Sequence, residues 1–168
     1  MRFKCSSCDE WHTGIPGWGW RYPFAYHQVP EAERERRCYL TDDLCVVDDR
    51  QFLITGLVEI PVIDSADVVS LRVWVSVQRK DWFEYQDLIG QASRDKCGPY
   101  TGQLDSTIPT YPDTFELGTS LIVRNDGIRP LVQLNPCEHP LWYEQRSGME
   151  LSRVARLYSF FEHRNADA

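Results

Sequence analysis

Residues 51–77 read QFLITGLVEIPVIDSADVVSLRVWVSV. In LRVWVSV, residues 71–77, Leu71, Val73, Val75 and Val77 recur at every second position. That period places their side chains on one face of a strand. QFLITGLVEIPVI, residues 51–63, is apolar at odd and even positions alike and reads as a longer strand. The two pair as central strands of a sheet, joined through DSADVVS.

Outward from this pair, LCVVD at 44–48 reads as a short strand. PEAERERR at 30–37 is a charge run, with Pro30 suited to a first helical position, and reads as a short solvated helix. Asp81 and Glu84 make the D-x-x-E pattern of a capping box. It predicts a helix over DWFEYQDLIGQA with Trp82, Tyr85 and Ile89 on its inner stripe, broken by CGPY. TGQLDSTI and TFELGTSLIV read as further strands. Asp126-Gly127 is a hairpin-turn signal leading into PLVQL, where Pro130 marks a strand start or an edge. Pro140 opens and Gly148 closes a helix over PLWYEQRS. A last helix over ELSRVARLYSFFEH carries Leu151, Val154, Tyr158 and Phe161 at helical spacing.

These elements sum to an α+β fold in a single domain over 1–168. Its mostly antiparallel sheet carries helices packed on one side and an N-terminal Cys-x2-Cys knuckle of the zinc type. Residues 1–29 are rich in Gly, Pro and aromatics; Trp18, Trp20, Tyr22 and Phe24 are expected to pack over the core as a lid. Residues 164–168 read as a flexible tail.

The 25 acidic and 18 basic side chains give a net charge of −7, which disfavours a phosphate backbone as partner. It permits a basic protein partner. No apolar run reaches the ~20 residues needed to span a bilayer. MRFKCSSCDE lacks the apolar core of a signal peptide, so the chain is expected in the cytoplasm, with its six cysteines reduced.

Cys5 and Cys8 have the spacing of a zinc knuckle, and His12 could reach back as a third ligand. No second Cys-x2-Cys exists, so a fourth ligand must come singly: Cys38, Cys45, Cys97, Cys137 or a distant His. A redox pair and plain unligated thiols are the competing readings; the former lacks the strand-to-helix context that lowers a thiol pKa. His139 precedes a helix N-terminus and could be a ligand, a base or a hydrogen-bonded structural residue. His27 and His163 carry no supporting pattern. A thiol enzyme would pair Cys45 with His139. Asp42, Asp43, Asp48 and Asp49 flank Cys45 and read as a solvated acidic turn rather than a cation site.

FKCSSCDEWHTGIP, DDLCVVDDRQFLITGLVEIPV, VWVSVQRKDW, IPTYPDT, GIRPLVQL and EHPLWYEQRSGM occur in this order along nearly the whole chain. In these stretches the chain resembles the bacterial domain of unknown function family twenty-one ninety-nine, whose members look like small cytosolic proteins without an assigned activity. The recurring positions match Cys5, Cys8, His12, Cys45 and His139. The resemblance therefore implies zinc held by Cys5, Cys8, His12 and Cys45, with His139 as the alternative to His12. The chain departs from the pattern at Asp9, where Gly is usual, at Gln103, where an aromatic is expected, and at Glu150, where a capping Thr is usual.

A small acidic domain with no Gly-rich phosphate loop and no serine nucleophile elbow suits binding more than catalysis. The expected function is a non-catalytic protein-binding module with a structural zinc. One such role is an immunity protein that neutralises a co-encoded toxin. The alternative is a zinc- or thiol-dependent hydrolase.

Overall fold

The computed structural model describes residues 1–94 and 96–163. The expected tail at 164–168 lies outside them. The chain forms β1 (Arg2–Lys4), β2 (Trp11–Thr13), β3 (Trp18–Gly19), α1 (Phe24–His27), α2 (Glu31–Arg37), β4 (Cys38–Leu40), β5 (Leu44–Val47) and β6 (Gln51–Pro61). It continues with β7 (Val68–Val77), α3 (Arg79–Leu88), β8 (Tyr100–Leu104), β9 (Gly118–Ile122), β10 (Leu131–Leu134), α4 (Pro140–Ser147) and α5 (Leu151–His163).

The stretch at 51–77 is the spine. β6 and β7 pair antiparallel from Phe52 with Val77 to Pro61 with Val68. Both bury residues on both faces. Phe52, Ile54, Val58 and Ile60 of β6 join Val69, Leu71, Val73 and Val75 of β7 in the larger core. Leu53 and Trp74 point the other way, into a second cluster with Ala25, Val29, Cys45 and Val47. Two cores, one per parity, explain why β6 carries apolar residues at odd and even positions alike.

The sheet closes on itself. β7 pairs with β8, β8 with β9 and β9 with β10, all antiparallel, and β10 meets β6 in parallel at Leu131 and Leu57. β5 and β4 extend the other edge of β6, and β3 runs parallel to β7. Closure depends on Gly56: a Cβ there would stand 2.4 Å from Val132 Cγ2 and 3.0 Å from the Pro130 carbonyl. The Asp126-Gly127 turn that joins β9 to β10 has φ of 56° and 72°, the left-handed pair read from the sequence.

The sheet is thus barrel-like, with two parallel contacts, rather than an open sheet with helices on one side. Helices serve both cores: Ala25 of α1 packs into the smaller cluster, while Trp82 and Tyr85 of α3, Leu141 of α4, and Val154 and Leu157 of α5 pack into the larger. Four local expectations change. α3 starts at Arg79 behind Gln78, with no side-chain cap, so Asp81 lies inside its first turn. Ile89 falls after that helix and is exposed, because Trp82 and Tyr85 already fill the inner stripe. On α5 the buried residues are Val154, Ala155 and Leu157, whereas Leu151 is exposed. Pro30 is the N-cap of α2 rather than its first residue.

The aromatic segment behaves largely as a lid. Trp18 is buried and stacks on Phe161 of α5 at 5.1 Å between ring centroids, and its Nε1 donates to Glu162 at 2.7 Å. Trp20 and Tyr22 are half-buried, and Phe24 is exposed. No helix among the described residues is long and apolar enough to cross a membrane.

Candidate metal centre

Arg2–Lys4 and Trp11–Thr13 form a small antiparallel hairpin, with Phe3 opposite His12. The connection between them is the Cys-x2-Cys knuckle. It closes where the Cys5 amide donates to the Glu10 carbonyl at 2.8 Å. Asp9, where the resemblance implies Gly, has φ 60°. The knuckle does require a left-handed residue there, and Asp is among the few side chains that accept that conformation.

The hairpin lies against α5. Phe3 meets Tyr158 edge-on at 5.1 Å, and the Ser7 hydroxyl bonds the Ser159 hydroxyl. This docking brings the end of the last helix to the knuckle. Cys5, Cys8, His12 and His163 place one ligand atom each within 4.8 Å of all the others. Cys8 Sγ stands 3.2 Å from His12 Nε2. The other ring nitrogen, Nδ1, lies 3.1 Å from the Tyr158 hydroxyl. With Nε2 left as the lone-pair nitrogen, Nδ1–H donates to Tyr158, the outer contact that orients a metal-ligating histidine. His163 Nε2 is buried and has no hydrogen-bond partner among the described residues. A buried, unbonded ring nitrogen is costly, and a cation between the thiols and imidazoles would satisfy it.

The two thiols shift in opposite directions. Burial opposes ionisation of Cys5, but the N–H groups of Cys8 and Ser7 and the Cys8 thiol point at its sulfur, and its pKa falls below the ordinary thiol value. At Cys8 the Glu10 N–H favours the thiolate, but burial and the neighbouring Cys5 sulfur outweigh it, and the pKa rises. The two sulfurs titrate as a coupled pair, Cys5 ahead of Cys8. A divalent cation between them would favour both thiolates. Two thiolates and two imidazoles form a four-donor set compatible with tetrahedral coordination.

The fourth member of the cluster is His163, not the expected Cys45. Cys45 lies on β5 in the smaller core, fully buried among Val47, Leu53 and Trp74. Burial, then the negative charges of Cys38 and Asp105, push its thiol up to about 12. It stays protonated at neutral pH, so it is poorly suited to be either ligand or nucleophile. His139 is also outside the cluster. It caps α4, its Nδ1 accepting from the Leu141 amide at 3.2 Å. The Cys45–His139 thiol site is therefore not assembled.

The acidic residues beside Cys45 are mostly paired. Asp48 takes two donors from Arg37, Asp43 pairs with Arg129 at 2.7 Å and Asp49 with Arg79 at 3.3 Å. His163 escaped the sequence reading because it stands far from the knuckle along the chain. Only the docking of α5 on the hairpin brings it near.

The family described as "Uncharacterized protein conserved in bacteria (DUF2199)" matches residues 4–149. The chain belongs to this family. The match contains Cys5, Cys8 and His12 and ends at Met149, before α5, so the helix that supplies His163 lies beyond it. No curated protein and no solved structure matches the chain.

Proposed function

We propose that this DUF2199 protein is a non-catalytic binding protein whose N-terminal Cys2His2 group holds a structural zinc. The observation that carries the reading is the convergence of Cys5, Cys8, His12 and His163 within 4.8 Å. Zinc favours such a set of two sulfurs and two nitrogens, and catalytic zinc keeps one position open for water or substrate. Four protein donors leave none. A cavity of about 620 Å³ opens elsewhere, beside Glu59, Leu131, Gln133 and Trp142, and none of the four donors lines it.

The metal's role on this reading is to fasten the hairpin to α5. The net charge of −7 supports a basic protein as the bound partner, the class to which a toxin neutralised by an immunity protein would belong. The test is the metal content of protein purified without a His tag. About one zinc per chain, lost in Cys5→Ser and His163→Ala, is expected. Zinc retained at full occupancy in both variants overturns the assignment.

A further inference from the structure

The chain carries more acidic than basic side chains, yet one cavity reverses the balance. It has a volume of about 450 Å³, and its lining includes Arg21, Arg72 and Arg129 against the single carboxylate of Asp42. Trp18 and Trp20 form part of its wall.

Arg72 is the key residue. It stands in the middle of β7, opposite Leu57 of β6 and Gly19 of β3. A guanidinium placed on a central strand requires partners, because a half-buried cation loses hydration. Arg72 has few. Its Nη2 donates to the Asp42 carbonyl, while its Nε is buried with no partner among the described residues. Burial, then the positive charge of Arg129, lowers its pKa; Asp43 and Asp42 offset this only in part, and Arg21 adds to it. Arg129 gives its Nε to Asp43. Arg21 lies 5.5 Å from the ring of Tyr22 and forms no ion pair among the described residues. Gly19 runs flat over Arg72, where a Cβ would stand 2.5 Å from Arg72 Cβ, so the strand crosses the arginine with no side chain of its own there.

We propose that this cavity is a binding site for a small phosphate ester, its phosphate held by Arg72, Arg129 and Arg21 and its organic part set against Trp20. Three guanidinium groups suit a dianion with three acceptor oxygens better than a single carboxylate. The volume is that of an ordinary small-ligand site. A nucleic acid is disfavoured as the source of the phosphate, since the acidic remainder of the surface repels a polyanion. The site shares no residue with the metal centre.

The test uses the full chain in phosphate-free buffer at low ionic strength. Titration calorimetry and amide and side-chain NMR follow inorganic phosphate, phenyl phosphate, acetate and a single-stranded oligonucleotide. Saturable one-to-one binding of phosphate is expected, tighter for phenyl phosphate, with shifts at the Arg72 Nε–H and the Trp20 indole. Arg21→Gln and Arg129→Gln, each away from the buried core, should weaken phenyl phosphate by about tenfold or more, the worth of one charge-assisted hydrogen bond. Cys5→Ser should leave the affinity unchanged, which separates this site from the metal reading. The proposal is overturned by the absence of saturable binding at millimolar ligand, by an equal response to acetate, by tighter binding of the oligonucleotide, or by full affinity in both arginine variants.

Discussion

β6 and β7 share ten register pairs and bury residues on both faces, whereas β1 and β2 share three and bury only Phe3 between them. The first pair is held by apolar packing, which is the general source of domain stability. The hairpin has too little apolar surface for that. It rests against α5 through Phe3 and Tyr158, and on the proposed reading its order depends on a metal held by two sulfurs and two imidazoles. On that reading one molecule combines a body that folds by burial with an appendage that needs a staple.

The contrast can be broken most forcefully in the body. Trp82 is buried and its Nε1 donates to the Leu53 carbonyl at 3.1 Å. Trp82→Ala should cost about 3–5 kcal/mol in denaturant unfolding, equally with zinc or with chelator present. A loss that appears only in the chelated protein would mean that the two regions are not independent.

Chelation is the matching attack on the hairpin. Relative to protein with zinc at a hundredfold excess over its Kd, metal removal should lower stability by about 3 kcal/mol. Hydrogen exchange should locate the loss in residues 1–13 and α5 and spare β6 and β7. Cys5→Ser should make the protein indifferent to the chelator.

The body has a polar weakness of its own. Asp105 follows β8, is buried, and its carboxylate accepts the Ala25 amide at 3.1 Å. Burial raises its pKa to about 6, against backbone hydrogen bonds from Ala25 and Phe24 that lower it. Because the folded value lies above the unfolded one, the native state holds the proton more tightly. Its stabilising contribution is present below about pH 4 and is lost as pH rises to about 6. Asp105→Asn should therefore be more stable than the parent at pH 7, by on the order of 2–3 kcal/mol, with the difference vanishing below about pH 4. Parallel melting curves at pH 4 and pH 7 check this.

Two smaller changes sharpen the boundary of the metal centre. His139→Ala removes a helix cap and should cost about 1 kcal/mol while leaving zinc stoichiometry intact. Cys45→Ala should also keep the full metal content. Smallest of all is Asp9→Gly. It relieves a left-handed side chain and loses an exposed ion pair to Lys4, formed at 2.6 Å. Such a pair contributes little, so thermal melting should show a gain below about 1 kcal/mol.

How much of this was legible in the sequence follows the same division. Alternation at Leu71, Val73 and Val75, and apolar residues at both parities in 51–63, are local patterns, and they located both central strands. The Asp126-Gly127 turn and the Pro140 and Gly148 helix limits are local signals too. The D-x-x-E match at Asp81 misled because the chain enters α3 directly from β7 at Gln78, without a side-chain cap. Closure of the sheet was hidden because it rests on a single parallel contact and on the empty space at Gly56. In the metal centre, Cys5, Cys8 and His12 lie within one short stretch and were read directly. His163 was not, since nothing along the chain states that α5 docks on the hairpin. Cys45 was chosen for its place in a resembling stretch, but its side chain faces a core rather than the knuckle.

The most direct test of the staple is the zinc K-edge X-ray absorption spectrum of the untagged, zinc-loaded protein. The account predicts two sulfur neighbours at about 2.3 Å and two nitrogen neighbours at about 2.0–2.1 Å, with one nitrogen lost in His163→Ala. A parent spectrum with three sulfurs, or with three protein donors and a water oxygen, would contradict it.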